Sequence, residues 1–451
     1  MSKISVPTAA DGRETLPCPV AEALRERAHA LIPGGCHTYA KGDDQYPAIA
    51  PPFIVRGSGC HVWDVSGRRY IEYAMGLRSV TLGHGYGPVV EAAVRAMHDG
   101  TNFNRPSPLE GDCAEMFLSM VPSAEMVKFT KDGSTCTTAA VKLARASTGR
   151  ECVAICADSP FYSYDDWFIG TTAMDGGIPE IATAHTLRFQ YNRIETLEAL
   201  FDARPNRIAC VMLEPARSVE PARGFLQQVR ALCRRHGAVL VFDETITGFR
   251  WHAGGAQDLY GVAPDLSVFG KAMGNGFAIS ALAGRRDLMD QGGIRTPGAR
   301  RVFLLSTTHG AENHALAAAM ATMKVYRDEP VIEHLHAQGE RLRAGVEPIV
   351  AELGLGAHFG IEGRGCALMF TCRDRDGAPS QPMRTLFLQE MIRRGVLAPS
   401  WLTAYTHTDR DIDRTVEACG EALEVYRRAL DEGCEHHLVG PPTRGVYRRY
   451  N

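Results

Sequence analysis

Two residues, Asp243 and Lys271, set up one particular chemistry. Asp243 ends the apolar run Ala238 to Phe242, and Lys271 follows Gly270 after a second run, Leu266 to Phe269. Short continuous segments rich in Val, Leu and Phe have the pattern of strands buried on both faces of a parallel sheet. Ligands of such sheets bind beyond the carboxyl ends of the strands, so an acid and an amine 28 positions apart are brought to one edge. The amine can form a Schiff base with pyridoxal phosphate, and the carboxylate can hold the pyridinium nitrogen protonated so that the ring acts as an electron sink. Either residue alone has a plainer reading: a solvated lysine, or an aspartate capping a strand end.

Other stretches supply what such a site needs. Met126 to Phe129 reads as a strand leading through Lys131-Asp132-Gly133-Ser134-Thr135 into an Ala-rich helix ending near Arg145. A strand, a Gly-containing turn and a helix start leave free N–H groups where a phosphate can sit, although by itself the pattern is equally a capped helix. Cys152 to Ala157 reads as a strand, followed by the aromatic loop DSPFYSYDDWFIG, and Ile208 to Leu213 precedes Glu214-Pro215. Phe303 to Leu305 leads into the polar turn STTHGAENH before a helix of small residues. Apolar strand and helix alternate from Met126 to Leu282, the signature of an α/β fold with a mostly parallel sheet covered on both faces. Helices are also expected over Glu22 to Ile32, Val89 to Met97, Leu226 to His236, Ile332 to Glu352 with a kink near Pro348, and Met383 to Arg394. Phe53 to Val55, His61 to Asp64, Ala367 to Thr371 and Val396 to Ala398 read as short strands, and VGPPTRGVYRRYN as an extended arm.

The order Glu214-Pro215, Asp243-Glu244-x-x-Thr247-Gly248-Phe249-Arg250 and Gly270-Lys271 resembles the class III, fold-type I, pyridoxal-phosphate aminotransferases. Within them it is most similar to the glutamate-1-semialdehyde aminomutase branch, from about Ala21 to the helix ending near Leu430. The resemblance implies a large domain with a mostly parallel seven-stranded sheet over 91–325 and a smaller α+β domain over 326–451, to which the N-terminal segment 1–90 belongs. It also implies a homodimer that shares its active sites. Lys271 and Asp243 become the catalytic pair, with Glu214 and Thr245 beside the cofactor; Thr245 stands where Val is usual. Gly133 and Ser134 would grip the phosphate, together with Thr135 where family members often have Glu. Phe161 or Tyr162 would stack on the pyridine ring, and the sequence does not choose between them. Thr308, with Thr307 beside it, would reach the phosphate of the neighbouring subunit's cofactor.

The substrate side departs from the aminomutase pattern. Lys41, close to Tyr39 in the entrance loop, replaces an Arg associated with the substrate carboxylate, and Leu77, followed by Arg78, replaces an aromatic residue. Asp43 and Asp44 in the entrance loop and Asp165 and Asp166 in the aromatic loop look like branch members that install amines on sugars, including aminoglycoside antibiotics. Carboxylates at a pocket mouth would suit a hydroxyl-rich or cationic acceptor. The expectation is therefore transfer of an amine from an amino-acid donor, glutamate in the first instance, to an oxo group of such an acceptor, with Glu244 helping to orient the donor. The alternative is glutamate-1-semialdehyde 2,1-aminomutase. A binding protein without chemistry is disfavoured by the presence of both Lys271 and Asp243.

Composition bounds these readings. The 451-residue chain has a formal charge of −3 and no Lys/Arg run, which gives no footprint for nucleic acid. No apolar stretch approaches the ~18 residues of a membrane span, and MSKISVPTAADGRETLP lacks the apolar core of a leader, so a cytoplasmic protein is expected. The thirteen cysteines form no C-x-x-C pair and read as reduced, and Cys434 with His436-His437 lacks partners at ligand spacing, so no metal is expected.

Overall fold

The structure, a computed structural model, describes residues 19–450. The amino-terminal stretch MSKISVPTAADGRETLP, on which the expectation of no leader rests, lies outside the described residues. The chain forms two compact units. Among the described residues, one takes those up to Leu77, Leu82–Tyr86 and Glu333–Val446; the other takes Arg78–Thr81, Gly87–Ile332 and those from Tyr447 to Tyr450.

Thirteen strands are described. In the first unit β1 (Ile54–Ser58), β2 (His61–Asp64), β3 (Arg69–Glu72) and β13 (Val396–Leu397) make a four-stranded sheet in that order, and β11 (Phe359–Glu362) pairs with β12 (Met369–Cys372). The second unit holds β4 (Met126–Thr130), β5 (Cys152–Cys156), β6 (Thr186–Phe189), β7 (Ile208–Leu213), β8 (Val239–Asp243), β9 (Leu266–Phe269) and β10 (Ser280–Gly284). These seven run in the order β4-β10-β9-β8-β7-β5-β6, with β10 antiparallel to both of its neighbours and the pairs from β9 to β6 parallel.

Every residue of β5, β7, β8, β9 and β10 is buried, as continuous apolar runs require when both faces of a sheet are covered. On one face β5, β7, β8 and β9 pack with Ala139, Ala140, Leu143 and Ala144 from helix Gly133–Thr148. Phe225, Leu226, Val229 and Leu232 of helix Phe225–His236 lie in the cluster on the other face. The small side chains of the first helix let it lie close on the sheet, and Gly149 in the left-handed conformation ends it. The first unit has its own core, in which Phe359, Phe370, Phe387 and Trp401 pack with Leu423 and Tyr426 of helix Asp409–Glu432.

Several sequence expectations change here. Phe303 to Leu305 forms no strand; Leu305 instead adopts a left-handed φ of 46°. β3, β6 and the helix Pro108–Met120 have no clear periodic signal, the strands being four residues long and the helix holding Gly111 in its first half. Helix Val331–Glu352 carries Pro348 within its length. Among the described residues no helix is long and apolar enough to cross a membrane.

Candidate active site

Four adjacent parallel strands deliver one group each to the same edge. Asp243 is the last residue of β8, opposite Val268 of β9, and Lys271 stands two residues past the end of β9. Glu214 directly follows β7, and Ser159 lies three residues past β5. Register alone thus brings acid and amine together, because a parallel pair keeps equivalent ends side by side. The turns that carry them are tight. Lys271 has a left-handed φ of 44°, and a Cβ on Gly270 would lie 2.6 Å from Ser280 Oγ. Gly248 sits against Phe269, whose ring would be 2.4 Å from an added Cβ.

The helix start after β4 joins this edge. Asp132 caps the helix, accepting hydrogen bonds from Thr135 N at 2.8 Å and Thr135 Oγ1 at 3.0 Å, which is worth about 1 kcal/mol. A Cβ on Gly133 would meet Thr245 Oγ1 at 3.0 Å, so the phosphate-type turn and the residues after β8 are in close contact. Ser134 is buried at the first turn.

Charge in the recess is finely set. Burial, then the nearby Arg78 guanidinium, pushes Lys271 down to about 8, against the pull of Asp243 and Glu214. Burial, then the Asp243 carboxylate, pushes Glu214 up to about 7. Asp243 is raised by burial and held back by Thr245, whose N–H donates to Oδ1 at 3.0 Å, and by Lys271. Lys271 and Arg78 nevertheless keep some exposed surface, as groups in an open recess do. Perturbed titratable groups gathered at strand ends are the electrostatic mark of a reactive site.

The recess also contains polar atoms that need a partner. Ser159 Oγ, Tyr162 Oη, Glu214 Oε1 and Thr245 Oγ1 are all buried without a well-formed hydrogen bond. Unsatisfied buried groups are uncommon and costly in a folded protein. Their clustering around Asp243 and Lys271, beside the free N–H groups of a helix start, fits a polar, phosphate-bearing heteroaromatic group. Ser159 had not been singled out in the sequence; its position after a strand and before Pro160 was the available signal.

The other expected residues sort by position. Tyr162 is buried and edge-on to Phe168, with ring centres 5.4 Å apart, whereas Phe161 is 42% exposed and also edge-on to Phe168 at 5.9 Å. Thr307 and Thr308 are exposed, and Thr308 O accepts from Asn102 Nδ2 at 2.9 Å. Thr135 is half-buried, its hydroxyl committed to the cap. Arg78 closes a run of four left-handed residues, Met75, Gly76, Leu77 and Arg78, with φ of 43°, 59°, 56° and 73°. Tyr39 and Lys41 belong to the first unit. Lys41 lines a cavity of about 770 Å³ there, along with Asp43, Asp44, Glu72, Leu77 and His84.

Three acids have commitments that the sequence did not show. Both oxygens of Glu244 are used within its own loop, accepting from Ala256 N and Gln257 N at 2.8 Å each and from the Thr247 hydroxyl. Fully buried, Glu244 therefore ties the loop after β8 closed and has no free oxygen for a substrate. Asp165 accepts from Thr138 Oγ1, and Asp43 pairs with His29 at 2.9 Å and Arg25 at 3.4 Å. Asp166 remains exposed at the start of a one-turn helix.

Comparison with known proteins agrees with this geometry. Residues 39–398 match the family model of the class-III aminotransferases. A glutamate-1-semialdehyde 2,1-aminomutase from Desulforamulus reducens is 34% identical over 434 residues, covering 91% of this chain and 98% of the relative. Among solved structures, the FumI protein of Sphingopyxis sp. MTA144, in its PLP internal aldimine form, superposes with a TM-score of 0.84 at 29% identity, covering 91% of this chain and 97% of that one. An omega-transaminase from Sphaerobacter thermophilus gives 0.83 at 27% identity, covering 91% and 98%. Residues, geometry and relatives together make this chain a member of the class-III aminotransferase family, an enzyme whose cofactor is pyridoxal phosphate.

Proposed function

We propose that this aminotransferase moves an amine on a carboxylate-bearing substrate of glutamate size, with the glutamate-1-semialdehyde 2,1-aminomutase reaction as the leading reading. The observation that carries it is Arg78. Its guanidinium stands close enough to Lys271 and Glu214 to perturb the first and be perturbed by the second. Three non-glycine residues in left-handed conformation, each costing about 1–3 kcal/mol, are spent on the run that ends in it. A guanidinium beside the reacting amine offers a planar, two-pronged hold for a carboxylate. The aminomutase relatives favour the same substrate class.

When bound, pyridoxal phosphate supplies a carbonyl for the substrate amine and a ring that takes up electrons from its Cα–H bond. The N–H groups at Gly133 and Ser134 would hold the phosphate at the positive helix end. Phe161, whose ring is open to a ligand where that of Tyr162 is not, would lie on the pyridine face. Asp243 would hold a proton at the ring nitrogen. Lys271, with an affinity for protons low enough to supply neutral amine near pH 8, would anchor the cofactor and, once displaced by substrate, move the Cα proton. Thr307 and Thr308 would contact the phosphate bound by a second copy in a homodimer; full activity in a particle of monomeric mass would remove that role.

The amino-sugar reading stays second. Lys41 and Leu77 still favour it, being departures from the aminomutase pattern. Its acidic motivation is weaker, since Asp165 and Asp43 are engaged within the protein.

One comparison separates the two: the purified enzyme is offered glutamate-1-semialdehyde alone, and glutamate with a panel of oxo-sugars. The proposal expects turnover of the semialdehyde, and Arg78→Lys should raise KM by about 10–100-fold with a smaller change in kcat, because a point charge replaces a fork. Sugar amination without semialdehyde turnover would reverse the order of the readings.

A further inference from the structure

A thiol, an imidazole and a carboxylate meet in the first unit, among residues that take no part in the site above. Cys60 Sγ lies 3.5 Å from Asp411 Oδ2 and 3.6 Å from His61 Nδ1, and His61 Nε2 lies 3.1 Å from Asp411 Oδ1. Cys60 and His61 sit at the turn between β1 and β2, and Asp411 lies in the first turn of helix Asp409–Glu432, 351 positions from Cys60. We propose that Cys60, His61 and Asp411 form a divalent-cation site of the zinc class, which staples the β1–β2 hairpin to the start of that helix.

Distances, chemistry and charge each support the site. Metal–ligand bonds of about 2.0–2.3 Å in a tetrahedral site put neighbouring ligand atoms roughly 3.3–3.8 Å apart; one ligand atom from each of these three residues lies within 4.8 Å of the other two, so closing the site takes side-chain shifts of about an ångström. Thiolate, imidazole and carboxylate together select zinc over the oxygen-seeking calcium and magnesium. Cys60 is buried, while the side chains of His61 and Asp411 are 22% and 14% exposed, which leaves an approach for a fourth, water ligand.

The surroundings are prepared for a cation. Asp411 Oδ2 is oriented by Thr408 N at 3.0 Å and Thr408 Oγ1 at 2.6 Å, the kind of outer contact that fixes a ligating carboxylate. That capping box accounts for the carboxylate's place on the helix, but not for a thiol and an imidazole arriving from the far end of the unit's sequence. The nearby His407 accepts from Ala404 N through Nδ1 at 2.9 Å, so its other nitrogen carries the proton and is no ligand. Burial holds His407 neutral, its pKa pushed down to about 3, so it adds no opposing charge.

On binding, the S–H bond breaks, an S–metal bond forms, the proton leaves to solvent, and His61 donates a ring lone pair. Thiolate, carboxylate and dication then sum to zero charge, an arrangement a half-buried site can hold.

The test uses the holoenzyme, stripped with a chelator and titrated with Co2+. One equivalent should bind with the visible d–d bands of a tetrahedral ion and thiolate-to-cobalt charge transfer. Cys60→Ser should abolish the charge-transfer band, and His61→Gln should weaken binding at least about tenfold. Zn2+ should displace Co2+ and raise the unfolding midpoint of the parent but not of Cys60→Ser. Neither variant touches Lys271 or Asp243, so retained aminotransferase activity certifies that each is folded. Failure of the parent to bind one cobalt, or an unchanged spectrum in folded Cys60→Ser, would overturn the proposal.

Discussion

Lys271→Ala should lose turnover by about 10⁴-fold or more, because both covalent anchorage and proton transfer at the substrate Cα are assigned to one nitrogen. The change removes a half-buried amine and leaves β9 and its buried register untouched, so the variant should fold and still bind cofactor and substrate reversibly. The same nitrogen dictates a pH dependence in the parent. Capture of cofactor by the apoenzyme needs the neutral amine, and burial together with Arg78 has brought the lysine down to about 8. The rate of capture should therefore rise as pH passes through about 8 and level off above it. An ordinary exposed lysine would keep it rising to about 10.4. Small added amines should partly restore turnover to Lys271→Ala. A variant with more than a few per cent of parental activity and no added amine would remove Lys271 from the chemistry.

Asp243→Asn should cost on the order of 10²–10³-fold in kcat with cofactor still bound, since it removes a preorganised charge from beside the ring nitrogen. The amide is nearly isosteric and can keep the 3.0 Å bond that Oδ1 accepts from Thr245 N, so packing at the end of β8 should survive. The loss has a second expected signature. Asp243 helps keep Glu214 protonated up to about pH 7, and neutralising it should shift that titration toward the usual carboxylate range. A variant with parental kcat would show that the ring nitrogen needs no negative partner here.

The sheet and the meeting of Asp243 and Lys271 at its edge were legible because one signal served both. A fully buried parallel strand is a continuous apolar run, and the first polar residue after such a run marks the edge where ligands bind. Asp243 and Lys271 could be read this way from Ala238 to Phe242 and Leu266 to Phe269. Glu244 could not, because its oxygens are taken by N–H groups 12 and 13 residues later, brought back by the turn through Gly254 and Gly255. Asp165 and Asp43 looked like free surface acids for the same reason, their partners Thr138 and His29 being 27 and 14 positions away. The aromatic loop offered Phe161 and Tyr162 as equals, and only burial distinguishes them. Arg78 was visible as a residue, but its aim depends on three preceding left-handed residues, of which only Gly76 has the type that announces such a conformation. The meeting of Cys60, His61 and Asp411 has no local signal at all, since hairpin and helix are joined only by the fold.

The assignment of Lys271 turns on where the cofactor is attached. Borohydride reduction of the purified holoenzyme, followed by proteolysis and mass analysis of the phosphopyridoxyl peptide, reads that attachment at residue level. The account predicts a single modified peptide, carrying the group on Lys271 of the sequence Phe269-Gly270-Lys271-Ala272-Met273. Modification of any other lysine, with Lys271 recovered unmodified, would contradict it.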